Sequence, residues 1–312
     1  MVRFLNTDKI DKETWLRARK KGITGTDAGA IAGMNPYKSS FSVYQEKVSE
    51  EVTEVEDNER MREGRDLEAY VAQRFTEATG LKTRRALAVF QNEKHPVLLA
   101  DYDRLIVGQR AGLECKTVSP YAAGQWANEK IPMHYLMQVQ HYLAVSGYDC
   151  WYLAALIFGQ ELIIHKIPRD DEELIQSLIT IEERFWKENV EKKIPPEPDG
   201  SDDYTKMLER KYRGDREKEI QLFGFDSKLR RRDEIDELME RLTAEKTKID
   251  QEIKSRMGEA SYAKTDGYRI SWTESVQNRI DTKMLKQAEP QTYERYLKQV
   301  NSRRFSVKRT AA

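Results

Sequence analysis

The sequence predicts an α/β domain, with one curved central mixed sheet flanked by helices, followed by a helical C-terminal extension that carries a small β-hairpin. Three observations predict it. Short apolar runs separated by turn residues fill 87–115 and again 151–167; helical patterns surround them; and beyond about residue 190 the texture changes to a dense mixture of Glu, Lys and Arg.

Taken in order, the patterns predict helices over 12–20, 26–32 and 64–79, the last closed by Gly80. Leu87 and Val89, then Leu98 and Leu99, then Leu105, Ile106 and Val107, then Leu113 and Cys115 read as consecutive strands of a mainly antiparallel sheet. A helix over 132–146, closed by Gly147, precedes two strands at 151–158 and 161–167, and 170–191 reads as a helix. Pro195, Pro196, Pro198 and Gly200 then impose an extended linker, placing the boundary between a domain of residues 1–198 and an extension of residues 199–312. In that extension Leu229, Ile235, Leu238, Leu242, Ile249, Ile253 and Met257 recur at helical spacing, one long amphipathic helix ending at Gly258. Tyr262, Tyr268, Ile270 and Trp272 flank Asp266-Gly267, a hairpin signal. Their rings serve either the packing of that hairpin or stacking on single-stranded bases. Asp281 caps a short helix and Pro290 opens another.

Composition narrows the chemistry. The 312 residues include 53 basic and 53 acidic side chains, so any attraction for nucleic acid is local and not a whole-surface coat. Cys115 and Cys150 are the only cysteines and the four histidines lack paired spacing, which excludes a disulfide framework and a zinc or iron–sulfur site; a metal must be held by oxygen. A mean hydropathy of -0.78, with no apolar run approaching the roughly 20 residues that span a bilayer, and an N-terminus without a secretory pattern lead to the expectation of a cytoplasmic protein.

Cutting a phosphodiester calls for a hydroxide nucleophile and neutralisation of phosphate charge, both supplied by divalent metal on carboxylates. The stretches Ala100-Asp101-Tyr102-Asp103-Arg104 and Gly112-Leu113-Glu114-Cys115-Lys116 offer such carboxylates. Alternation on a strand puts Glu114 and Lys116 on one face, with Leu113 and Cys115 on the other. Asp103, Glu114 and the backbone carbonyl of Cys115 would suffice for a magnesium ion that keeps several waters. Lys116 would sit beside one of those waters. Asp101 lies on the same strand face as Asp103, so the two aspartates remain interchangeable at this point.

Asp103 followed by Glu114-Cys115-Lys116 resembles the PD-(D/E)XK nuclease motif. The surroundings, over roughly residues 10 to 190, resemble the YqaJ viral recombinase family, relatives of the phage lambda exonuclease. Three further segments carry the resemblance: Trp15 to Gly29 with Asn35-Pro36-Tyr37; Gly64-Arg65-Asp66-Leu67-Glu68; and Tyr135 to Tyr142 with Gln138 between. It implies a restriction-endonuclease-like core and a 5′-terminal phosphate pocket at Arg19 and Thr26, where relatives often have serine in place of Thr26. It further implies Glu68 as an additional metal or water ligand, and Gln138 and Tyr142 reaching phosphate or the attacking water. The implied activity is a Mg2+-dependent 5′-to-3′ exonuclease on double-stranded DNA ends, with Mn2+ able to substitute. Such an enzyme would leave 3′ single-stranded tails for phage-type homologous recombination, working as a homotrimer beside a RecT/Beta-type single-strand annealing protein. The chain departs from the family in having Asp101-Tyr102-Asp103-Arg104 where Ser-Pro-Asp-Gly is frequent. Two other readings stand beside this one: an endonuclease or junction resolvase on the same core, which would cut closed circular DNA, and a non-catalytic DNA-binding or assembly factor, which would release no nucleotides.

Overall fold

Strand β1 (Val2–Asn6) leads into α1 (Lys12–Arg19), which starts where the Asp11 carboxylate accepts from the Thr14 N–H. Thr24 precedes α2 (Gly25–Ile31), Ser39 caps α3 (Ser40–Val48) through the Ser42 N–H, and Asn58 caps α4 (Glu59–Thr79), which Gly80 ends in the left-handed conformation. Four short strands follow, β2 (Thr83–Arg85), β3 (Ala88–Gln91), β4 (Leu99–Asp101) and β5 (Arg104–Ile106), then the long β6 (Ala111–Val118). After a 3-10 turn at Pro120–Gln125 come α5 (Met133–Ser146), β7 (Cys150–Ile157), β8 (Leu162–Pro168) and α6 (Glu172–Phe185). The last turn before the linker, Trp186–Glu191, is π-helical, and α7 (Asp202–Lys211) follows it. Then come α8 (Asp226–Met257), β9 (Tyr262–Lys264), β10 (Arg269–Ser271), α9 (Thr282–Ala288) and α10 (Pro290–Tyr296). This computed structural model describes residues 1–52, 58–212, 218–299 and 304–308.

The chain forms two compact units, Met1–Arg213 and Gly214–Ala312. In the first, a five-stranded sheet runs in the order β2-β5-β6-β7-β8, antiparallel except for β6 and β7, whose parallel pairing is bridged by α5. The runs expected as consecutive strands of one sheet therefore divide. β3 is the central strand of a separate three-stranded sheet, with β1 paired on one edge and β4 on the other.

Alternation along β7 explains the two cores. Trp151, Leu153, Ala155 and Ile157 face one side, where Val139, Tyr142 and Leu143 of α5 cover them. Cys150 and Ala154, with Leu113 and Ala111 of β6, face the other, where α4 supplies Val71, Ala72 and Phe75. Gly112 belongs to the α5 side, and a β-carbon there would lie 2.1 Å from the Trp151 ring. Strand and ring approach this closely only because the residue is glycine.

The first unit also extends past the linker. Asp203 on α7 accepts from the Ser39 N–H at 2.8 Å and from both the Ser39 and Ser42 hydroxyls, and Tyr204 stacks on Phe41 with centroids 4.6 Å apart. Hence α7 closes over the start of α3, and the unit ends beyond residue 198.

In the second unit, α8 carries Ile235, Leu238, Met239, Leu242 and Ile249 as an exposed stripe, while Met257 at its end is buried. Strands β9 and β10 form the expected hairpin. No helix among the described residues is long and apolar enough to cross a membrane.

His141 is wholly buried: Nδ1 lies 2.8 Å from Glu182 Oε1 and Nε2 lies 2.8 Å from the Leu99 carbonyl. A doubly protonated ring would donate to both. Burial opposes that charge, but Glu182 and the Leu99 carbonyl outweigh it and raise the pKa above the ordinary histidine value. The contribution to stability is therefore complete below about pH 6.5, the unfolded value, and is lost as pH rises through the higher folded value. Melting temperatures measured across that window should fall with pH in the parent, and the same fall should be missing from His141→Gln; equal slopes would contradict the buried imidazolium.

Candidate active site

Asp103 lies in the break between β4 and β5, not within a strand. The antiparallel register of β5 on β6, with Arg104 opposite Leu113, carries Asp103 to the level of Glu114. Its Oδ2 accepts the Cys115 N–H at 2.8 Å. Glu114 and Lys116 share the face of β6 that looks toward α5, with Lys116 Nζ 2.6 Å from Glu114 Oε1 and 4.9 Å above the Tyr135 ring. Gln138 donates to the same Glu114 oxygen at 2.7 Å and to the Tyr142 hydroxyl at 2.8 Å. The one-turn spacing that puts Gln138 and Tyr142 on one helical face thus aims both at the strand.

Glu114 Oε1 receives two donors, whereas Oε2 is buried without a partner among the described residues. Burial, then the charge of Glu114, drives the Asp103 carboxyl well above the usual range, against the pull of Lys116. Burial disfavours charge on Lys116 as well, but Glu114 and Asp103 outweigh it and hold the ammonium protonated above its ordinary value. The Cys115 thiol is pushed up by burial and by the surrounding carboxylates, so it stays a thiol.

Glu68 reaches the site from α4 but accepts from Arg104 Nη1, which also donates to the Asp103 carbonyl at 2.8 Å. Arg104 is itself buried and makes a strut between α4 and the β4–β5 break. Among the described residues no three His, Cys, Asp or Glu side chains form a ready-made cage. Two neighbouring carboxylates, one with an unpartnered buried oxygen, nonetheless fit a hard divalent cation that keeps water in its shell. Asp103 and Glu114 would hold it, with the Cys115 carbonyl, and Glu68 would join once released by Arg104.

Asp101 takes another place. Its Oδ2 accepts from Arg19 Nη1 at 2.5 Å, and Arg19 Nη2 donates to Thr26 Oγ1 at 2.9 Å and Thr24 Oγ1 at 3.1 Å, with the guanidinium 4.6 Å over the Trp15 ring. The two aspartates that the sequence left interchangeable are thus separated: Asp103 faces Glu114, and Asp101 faces Arg19. Thr26 is exposed beside this guanidinium. Of the other nearby bases, Arg17 pairs with Glu13 at 2.6 Å and Lys20 donates to the Ser49 and Glu51 carbonyls, so neither faces the Asp103 group.

Beneath Arg19 lies a cluster that sequence reasoning missed. Asp27 is 2% exposed and Lys47 is 4% exposed at the side chain, 2.7 Å apart, with Lys38 3.1 Å from the same carboxylate. Asp27 also accepts the Thr24 N–H at 3.1 Å and hydroxyl at 2.9 Å. Burial would raise its pKa, but Lys47, Lys38 and Arg19 prevail and hold it well below the usual carboxylate range. The spacing of Thr24 and Asp27, that of a capping box, was the one available signal. Gly25 stands at the same junction, where a β-carbon would lie 2.4 Å from the Tyr142 ring.

Residues 14–149 match the YqaJ-like viral recombinase domain. An uncharacterized protein, YqaJ, of Bacillus subtilis (strain 168) is 36% identical over 304 residues, 96% of this chain and 95% of that protein. The crystal structure of an alkaline exonuclease, LHK-Exo, from Laribacter hongkongensis superposes with a TM-score of 0.51 at 21% identity, covering 59% of this chain and 94% of that one. LHK-Exo in complex with dAMP gives the same TM-score at 19% identity and the same coverage. These likenesses are of fold, a central mixed sheet between helices. Agreement with YqaJ over nearly the full length of both chains, together with the matched domain, means that this chain belongs to the YqaJ-like viral recombinase family.

Proposed function

We propose that this protein is a magnesium-dependent exonuclease, with manganese able to substitute, that degrades the 5′-ended strand of duplex DNA from its ends. The observation that carries the reading is the convergence of Asp103, Glu114 and Lys116 on one side of β6, with Glu114 Oε2 buried and unpartnered. Family membership and the exonuclease-like fold support it.

A divalent cation, when bound, supplies an activated water and neutralises charge at the phosphate. The chain's own residues do the rest. Lys116, held protonated by Glu114 and Asp103, offers its ammonium to the entering water or to a phosphoryl oxygen. Gln138 fixes the orientation of Glu114 and, with Tyr142, presents donors to the same space. Arg104 holds Glu68 and the Asp103 backbone in place. Arg19 and Thr26 offer a guanidinium and an exposed hydroxyl for a 5′-terminal phosphate, which would set the polarity. Asp101 already neutralises part of the Arg19 charge, so this pocket should favour a phosphate modestly. The product would be a 3′ single strand, the substrate of a RecT/Beta-type annealing protein, and a homotrimer working in the cytoplasm completes the proposal.

Linear duplexes labelled at one end, with a 5′-phosphate or a 5′-hydroxyl, test the polarity. The phosphorylated end should be degraded several-fold faster, Arg19→Ala should remove most of the preference, and the label on the 3′ end should be released last. Cutting of covalently closed circles would replace this reading by an endonuclease.

A further inference from the structure

We propose that the outer face of the β9–β10 hairpin binds single-stranded nucleic acid, one base stacking on Tyr262 and the flanking phosphates lying over Lys264 and Arg269. The proposal goes beyond the nuclease reading and does not depend on it.

The hairpin register pairs Lys264 with Arg269 and Tyr262 with Ser271. Backbone bonds from the Thr265 N–H to the Tyr268 carbonyl and from the Trp272 N–H to the Ser261 carbonyl mark the hydrogen-bonded pairs. By alternation the Lys264/Arg269 and Tyr262/Ser271 pairs are the non-hydrogen-bonded ones, in which opposed side chains stand closest. Two like charges directly opposite one another destabilise a pairing, and a two-stranded ribbon has little stability to spare. Among the described residues neither cation has an ion pair, and the neighbouring carboxylates of Glu259 and Asp266 engage neither. Folding gives no reason for this arrangement; a polyanion does.

The two faces of the ribbon differ. Ala263 and Ile270 are half-buried, and Trp272, which shares their side, lies 5.9 Å from Lys254 Nζ of α8. On that side Ala263 and Ile270 pack, while the Tyr268 and Trp272 rings are exposed. Tyr262 is 74% exposed on the opposite side, with Lys264 and Arg269 beside it. Along the strand Tyr262 and Lys264 stand about 6.8 Å apart, roughly one nucleotide step of an extended strand. A flat ring with cations at that distance matches an unpaired base with its phosphates, since stacking needs a base face that a duplex conceals.

The test uses the full chain, with EDTA present so that no strand is cut, and reads anisotropy of a labelled oligothymidylate. Tyr262→Ala should weaken binding roughly tenfold, whereas Tyr262→Phe, which keeps the ring, should bind like the parent. Lys264→Ser with Arg269→Ser should reduce the slope of log K against log salt by about 1.4, two single-strand phosphate contacts. Unchanged affinity in Tyr262→Ala and an unchanged salt slope in the double variant would overturn the proposal. So would an equal loss for duplex of the same length, or full competition by polyglutamate, since either would reduce the face to a general anion contact. Because binding is read without hydrolysis, a chain that cuts no DNA but shows these differences refutes the nuclease reading and leaves this one standing.

Discussion

Asp103→Asn should lower the rate of duplex hydrolysis on the order of a thousandfold while leaving the protein at least as stable as its parent. The carboxyl is destabilised by burial and by Glu114 beside it, which is what lifts its pKa. Asparagine removes that repulsion and keeps an oxygen to accept the Cys115 N–H. A group placed against the preference of the fold is a mark of function, and relieving it trades activity for stability. Initial rates and a thermal melt should therefore move in opposite directions, with about 2–4 °C gained per kcal/mol relieved. Magnesium should raise the melting temperature of the parent and not that of the variant, because a ligand stabilises only the state that binds it. A variant that cuts within tenfold of the parent would remove Asp103 from the chemistry.

The largest loss of stability should come from Asp27→Asn. Among the described residues its carboxylate is the only acid paired with Lys47, which is nearly as enclosed as Asp27 itself. Removing one partner of such a pair leaves a charge in a medium that does not solvate it, at a cost of about 3–5 kcal/mol. The pH dependence has a definite sign. Asp27 is depressed in the folded state, so its stabilisation is complete above about pH 3.9, the unfolded value, and is lost only as pH falls through the lower folded value. Denaturant midpoints should show a constant gap between parent and variant above about pH 4, narrowing as pH falls further. A loss below about 1 kcal/mol would mean that Lys47 finds other solvation and that the cluster is not a support for Arg19 and Thr26.

Much of this molecule is legible from side-chain periodicity. The two sides of β6 follow from alternation, and the α5 face bearing Gln138 and Tyr142 follows from their spacing; in both cases the local rule decides which group meets which. What alternation could not reveal was partnership across the chain. The separate sheet of β1, β3 and β4 depends on a pairing between residues far apart in sequence. The parallel join of β6 and β7 depends on which side α5 crosses. The same holds for charge. Asp101 and Asp103 look alike along the strand, and only the position of Arg19 distinguishes them. Likewise α7 follows a proline-rich stretch that reads as a boundary, yet one carboxylate, Asp203, with the Tyr204 ring fastens it to α3.

On the proposed reading Asp103 and Glu114 together hold a divalent ion, and manganese, being paramagnetic, reports on it without any DNA. Titrated into the full chain and followed by electron paramagnetic resonance, manganese should lose its free signal in the parent, and magnesium should displace it. In Glu114→Gln and in Asp103→Asn the free signal should persist at the same concentrations. A parent that leaves manganese free, or variants that take it up as the parent does, would contradict the account.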